Sequence, residues 1–146
     1  MARLVQRDLG AIVNTPTTYL DPQDYWRYAA ESELRLPKCG ECGEWVWYPR
    51  HRCGRCHSVV TAWVPVDPVG TLFTWTRIHY PYLPELKSFL PITIGLIQLQ
   101  AGPRVIGWLR EVDKIEIGKA MRGRFEVFEG LDTPRLVFMQ STVSEV

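Results

Sequence analysis

The sequence lacks any excess of charge. Seventeen Lys and Arg stand against 16 Asp and Glu, for a formal charge of +1. Neither half departs from balance, with eight basic and seven acidic residues up to residue 62 and nine of each after it. Phosphate neutralisation dominates nucleic-acid affinity, so a nucleic-acid-binding domain carries a basic excess that is missing here. Long apolar runs are missing too. The opening MARLVQRDLGAIVN is broken by Gln6, Arg7 and Asp8, unlike the apolar core of about 7–15 residues in a secretory signal. No stretch approaches the roughly 18 apolar residues of a membrane helix. The expectation is a cytoplasmic chain with neither nucleic acid nor membrane as its partner. The sequence holds no G-x-S-x-G, Walker loop, G-x-G-x-x-G or H-E-x-x-H. Acidic residues such as Glu111, Asp113 and Glu116, or Glu126 and Glu129, are scattered as on solvated strand faces. No self-sufficient active site is legible, and no catalytic residue is assigned.

What the chain does have is aromatic side chains, 17 in 146 residues and six of them Trp. So short a chain has a limited interior, which leaves some of that apolar surface for a partner. Residues 1–20 form an arm ending in the turn-like NTPTT. Asp21 as N-cap, Pro22 at the first helical position and Asp24 in the first turn predict a helix reaching about Glu33 and stopping before Pro37. From Val59 the pattern changes to short β-branched and aromatic runs broken by Gly and Pro: TAWVPV, GTLFTWTRIHY, PITIGLIQLQ, RVIGWLREV, RGRFEVFEG and RLVFMQ. About five strands without a crossover helix predict a small closed or half-closed barrel, with a short sandwich as the competing architecture. Gly95 and Gly107 suit tight bends in such a barrel. The loop YPYLPELKSFLP, 80–91, reads either as a lid over the barrel's open end or as a contact surface.

All four cysteines lie in KCGECGEWVWYPRHRCGRCHS, as two C-x-x-C pairs ten residues apart. Cys39, Cys42, Cys53 and Cys56 supply the four thiolates that Zn²⁺ accepts in closed structural sites. An iron centre of rubredoxin type uses the same ligand set. The segment between the pairs, EWVWYPRH, reads as a minimal hairpin. Four thiolates on Zn²⁺ sum to −2, and Lys38, Arg50, Arg52 and Arg55 stand beside them to offset it. A thioredoxin-like role would need the pair at the head of a helix in a βαβ setting. With four sulfurs bound, no position stays open for water or substrate. His51 and His57 read as packing on the ribbon, and His79 as a polar residue at the barrel rim.

The order of these pieces carries a resemblance. DYWRYAAESELRLPKC leads to a C-x-x-C-G knuckle and WYPRHRCGRC, then to GTLFTWTRIH, PITIGLIQL and IEIGKAMRGRFEVFE. The chain resembles, over about residues 22–140, the acyl-CoA-associated family in which a rubredoxin-like zinc ribbon is joined to an OB-fold. Two departures are His57, where a glycine often follows the second pair, and the irregular GKAM. Together with the strand pattern the resemblance implies a mainly β fold, which divides the chain into an N-terminal arm and helix (1–36), a zinc ribbon (37–60) and a five-stranded OB-fold barrel (61–146), the arm of residues 1–20 lying outside the resemblance. It implies Cys39, Cys42, Cys53 and Cys56 as ligands of a structural Zn²⁺. It also implies a non-catalytic accessory subunit of a thiolase-superfamily acyltransferase, thiolase or aldolase, acting on acyl groups or acyl-CoA-derived substrates, as in the bacterial complex that acetylates phloroglucinols.

Under that reading the catalytic subunit of a hetero-oligomer is the partner, and Trp26, Trp45, Trp47, Tyr48, Tyr82 and Phe89 are its candidate contacts. Two alternatives remain. Phe73, Trp75 and Trp108 on barrel strands are rings on which single-stranded nucleic acid can stack. Arg104, Arg110, Lys119, Arg122 and Arg124 form a candidate grip for CoA phosphates.

Overall fold

A computed structural model describes residues 20–60, 62–110 and 114–141. The arm up to residue 19 lies outside the described residues. The chain begins with a short helix, α1 (Asp24–Ala30), followed by strands β1 (Arg35–Lys38) and β2 (Ala62–Pro65), which pair antiparallel around the cysteine segment. Five strands follow: β3 (Val69–Ile78), β4 (Ile92–Leu99), β5 (Arg104–Leu109), β6 (Ala120–Glu126) and β7 (Arg135–Gln140). They close into a barrel in the order β3-β4-β5-β7-β6, which removes the sheet edges that a sandwich would leave open. No helix among the described residues is long and apolar enough to cross a membrane.

The helix is shorter than Asp21 and Glu33 suggest. Pro22 opens a turn instead, with the Asp24 N–H bonded to the Asp21 carbonyl and the Asp21 carboxylate accepting from the Gln23 N–H at 2.9 Å. The C-terminal end closes at Ser32, in the left-handed region with φ 62°. The Ser32 and Glu33 N–H groups reach back to the Ala29 and Tyr28 carbonyls. That is the reciprocal C-cap of a Schellman turn, and it delivers Leu34 into the core as the next strand begins.

The barrel is organised around one ring. Phe138 on β7 has no exposed surface and belongs to a cluster with Leu72, Ile97, Leu99, Val105, Leu109, Met121 and Leu136. Gly107 on β5 and Gly123 on β6 make room for it, since a Cβ at either would lie 2.6–2.7 Å from its ring carbons. Gly95, directly opposite Gly107, faces Leu109 and Leu72 in the same way. These glycines serve close approach more than bending. The bend comes from a bulge between Leu72 and Thr74, which lets β3 pair with β6 at its start and β4 along its length. Leu34, Leu36 and Val66 join the same cluster, so the β1–β2 pair that frames the ribbon is packed on the barrel.

Gly107→Ala should therefore cost about 2–3 kcal/mol in urea unfolding, because the new methyl meets both the Phe138 ring and the Leu136 carbonyl. Gly40→Ala, with open space around its Cβ and no left-handed φ, should change stability by less than about 0.5 kcal/mol. Equal costs at both positions would overturn this account of the core.

Candidate metal centre and the ribbon–barrel groove

Each cysteine pair sits in its own knuckle. The Gly43 N–H bonds the Cys39 carbonyl and the Cys39 N–H bonds the Glu44 carbonyl. The second knuckle repeats this, with His57 on Cys53 and Cys53 on Ser58. Bridges then join Lys38 to Trp45 and Arg52 to Val59. Backbone pairing thus runs across each C-x-x-C, and the expected hairpin within EWVWYPRH does not form. The knuckles engage the donors and acceptors that such a hairpin would need. Gly43 and His57 occupy equivalent left-handed positions, φ 74° and 63°. Glycine takes that conformation freely and histidine does not. His57→Gly should raise the unfolding free energy of the metal-loaded protein by about 1 kcal/mol, read from chemical denaturation. A loss of stability would show that the imidazole, not the turn, governs the position.

The knuckles bring the Sγ atoms of Cys39, Cys42, Cys53 and Cys56 within 4.8 Å of one another. Cys39 lies 3.5 Å from Cys56 and Cys42 lies 3.6 Å from Cys53. A tetrahedral ion with metal–sulfur bonds of ~2.3 Å has sulfur–sulfur edges of ~3.8 Å, whereas a disulfide needs about 2.05 Å. The four thiols are free and fit a metal ion. The Arg55 N–H points at the Cys53 sulfur at 3.4 Å, which favours a thiolate there. Ser58, through its hydroxyl and N–H, pulls the Cys56 thiol down to about 6. Cys42 goes the other way. The Glu44 N–H favours its thiolate, but desolvation and the sulfurs of Cys53, Cys56 and Cys39 outweigh it and push the thiol up to about 12. Four crowded sulfurs do not all ionise without a cation among them. When bound, zinc supplies that charge and a fixed tetrahedral geometry, with no open position for chemistry.

The ribbon has its own small core of Leu20, Cys39, Val46, Cys53 and Val60, and it lies against the outer face of β4 and β5. Trp45 bolts the two together. Its indole N–H donates to the Ala101 carbonyl in the β4–β5 turn at 2.9 Å, and the Lys38 ammonium covers its ring at 4.8 Å. Trp47 is half-buried between Tyr25 of the helix at 5.4 Å and Tyr48 at 4.6 Å. Tyr25 also meets Phe125 on β6, and burial raises its hydroxyl to about 12. Tyr48, by contrast, is 55% exposed and Trp26 is at the surface beside Arg135.

The loop 80–91 divides between the two roles anticipated for it. Phe89 packs on Trp108 and Phe128 over one end of the barrel, with ring centroids 5.0–5.8 Å apart across the trio. Tyr82, 85% exposed, stands in solvent with Tyr80. Of the rings considered for base stacking, one is packed and two, Phe73 and Trp75, stay at the surface. Trp108 belongs to that trio, the Arg104 guanidinium lies 3.8 Å from the Phe73 centroid, and Arg77 lies 5.7 Å from that of Trp75. The candidate phosphate grip is largely paired off. Arg110 and Arg124 both bind Glu126, Lys119 binds Glu116, and Arg122 stands 3.7 Å from Asp67. Among the described ion pairs only Arg104 of that set has no acidic partner. Of the histidines beyond His57, His79 is exposed at the end of β3 and His51 flanks the second knuckle. Tyr25, Leu96 and Ile106 are the contributors that the linear pattern did not single out. Their importance comes only from ribbon and barrel meeting.

Comparison with known proteins agrees with this architecture. Residues 26–59 match the profile described as "ChsH2, rubredoxin-like zinc ribbon domain". Residues 63–126 match "ChsH2, C-terminal OB-fold domain". A "DUF35 domain-containing scaffold protein" of Pyrococcus furiosus is 29% identical over 98 residues, 66% of this chain and 71% of that protein. Among solved structures, that described as "Ltp2-ChsH2(DUF35) aldolase" superposes with a TM-score of 0.72 at 23% identity, over 87% of this chain and 99% of the other. A DUF35-family protein of unknown function from Sulfolobus solfataricus gives 0.55 at 15% identity, over 82% and 84%. These two likenesses bear on the fold.

Ligand thiols must lose their protons to hold a metal, so protons compete with it. Zinc release to a chromophoric chelator should be slow at pH 7. It should accelerate steadily as pH falls, because protons displace the metal from the four sulfurs. Release independent of pH between 7 and 4 would contradict a thiolate cage.

Proposed function

We propose that this chain, which belongs to the family built from the ChsH2 rubredoxin-like zinc ribbon and C-terminal OB-fold domains, is a non-catalytic accessory subunit of an enzyme complex. Its partner is a thiolase-superfamily catalytic subunit, in an acyltransferase, thiolase or aldolase acting on acyl groups or acyl-CoA-derived substrates. The observation that carries the reading is the pairing of the two ChsH2-type domains in one chain, with the ribbon's metal site closed by four thiolates. A site with no open coordination position shapes a surface instead of activating water or substrate.

Two further facts support it. The curated relative is described as a scaffold protein, and the solved relative is described with an aldolase. Several aromatic rings stand at the surface, and the expected contacts Tyr48, Trp26 and Tyr82 are among them. We assign those three residues to partner contact. Trp45, Trp47 and Phe89 contribute from beneath, by holding ribbon, barrel and loop 80–91 in place. The nucleic-acid alternative has less support because Trp108 is packed in the aromatic trio and the chain carries no basic excess, although Phe73 and Trp75 stay at the surface.

The reading is tested by expressing the catalytic subunit that copurifies with the tagged chain, alone and together with it, and assaying acyl transfer or carbon–carbon cleavage. Activity should depend on the chain. It should fall at least tenfold when Cys42→Ser removes a zinc ligand, since structural zinc contributes apparent free energies on the order of 10–16 kcal/mol to small modules. A catalytic subunit that is stable and fully active without the chain would refute the proposal.

A further inference from the structure

Three concavities meet at Trp47. One, about 550 Å³, lies between ribbon and barrel and is lined by Trp45, Leu96, Arg104 and Ile106 with Glu44 and Tyr48. A second, about 450 Å³, continues along the ribbon past Arg50 and Arg55. A third, about 290 Å³, runs under Tyr48 and Ile106 toward Trp26 and is almost wholly apolar. Sharing Trp47, they make a branched groove: the first branch lies between the ribbon and the outer face of β4–β5, the second on the ribbon alone, and the third between Tyr48, Ile106 and the helix end at Pro22–Trp26. Tyr48 and Ile106 are each about half exposed along it, at 55% and 51%.

Its charge is one-sided. Arg50, Arg55 and Arg104 line the groove against Glu44 alone, and Glu44 is already paired with Arg55 at 3.4 Å. Lys38 adds a fourth cation above the Trp45 ring. Elsewhere basic residues are matched locally by ion pairs, such as Arg110 and Arg124 with Glu126 and Lys119 with Glu116. Among the described ion pairs neither Arg50 nor Arg104 takes part. Arg104 is instead held over the Phe73 ring and by the Gln98 side-chain oxygen at 2.8 Å, a pre-set guanidinium with donors left over. An aromatic ribbon wall facing aliphatic side chains, with an arginine rim and few acids, is the composition of an interface centre.

We propose that this groove is the docking site for an acidic, apolar segment of the catalytic partner, its carboxylates on Arg50 and Arg104 and its apolar side chains against Tyr48, Ile106 and Leu96. The proposal rests on the accessory-subunit reading and names the surface and the partner chemistry within it. A nucleic-acid strand is the disfavoured occupant, because the groove offers only four cations and its rings Trp45 and Trp47 lie half-buried, one bonded to Ala101 and the other packed on Tyr25.

The test measures binding of the copurifying catalytic subunit, separated and repurified, to immobilised full-length chain at low and moderate salt. Arg50→Glu combined with Arg104→Glu should weaken binding by ~30-fold and remove most of its salt dependence. Ile106→Glu, an independent surface change, should weaken it comparably. Lys114→Glu with Lys119→Glu, outside the groove, should leave it within about twofold. Zinc content and circular dichroism of each variant confirm that it is folded. Wild-type binding that survives both groove variants would overturn the groove while leaving the accessory reading intact. No wild-type binding at all would overturn both. Retention of a 15-nucleotide oligo(dT) by the wild type, lost in the double arginine variant, would assign the groove to nucleic acid instead.

Discussion

Four sulfurs held within 4.8 Å repel one another once ionised, and the ribbon's backbone brings them there. Everything on the ribbon side depends on a cation resolving that conflict. The knuckle N–H groups pre-arrange the cage, and the residues between the cages are left to serve packing. Among the described residues the ribbon core proper is five side chains, two of them metal ligands. So small a cluster cannot fold a module by burial alone. Metal coordination therefore substitutes for hydrophobic area, and what it stiffens is an aromatic edge laid on a barrel.

The barrel has no such dependence. Phe138, seated against the glycines of neighbouring strands, gives it a centre packed from all sides, and closure leaves no edge to protect. The two halves are coupled through few but specific contacts: Trp45 to Ala101, Tyr25 to Trp47 and Phe125, and the β1–β2 side chains within the barrel cluster. Coupling of this kind lets a metal site influence a surface more than 50 residues away in sequence without taking part in chemistry.

Much of this was legible beforehand because it is encoded locally. The β-branched runs announced the barrel strands, and the cysteine spacing announced the cage. What escaped depends on distant pairing. β1 contains Pro37 and did not read as a strand, yet it pairs with β2 through Trp63 and Ala62. The hairpin expected between the cysteine pairs gave way to two separate knuckles because each knuckle engages its own flanking N–H groups. Gly95 and Gly107 were conspicuous, but only the juxtaposition of β5 with β7 reveals that Gly107 clears space for a ring. Trp45 and Trp47 read as exposed contacts, whereas one is bolted to a turn 56 residues on and the other underlies Tyr48. No pattern in the linear chain foretells a tryptophan's hydrogen bond to Ala101.

The central claim is that zinc holds the ribbon, and with it the groove wall, while the barrel stands on its own core. Hydrogen exchange on the zinc-loaded and chelator-treated protein tests this most directly. The Cys39, Val46, Cys53 and Val60 amides, each bonded within or beside a knuckle, should lose protection when the metal is removed. The β4 and β7 amides around Phe138 should keep theirs. Ribbon amides that stay protected without metal would contradict the account.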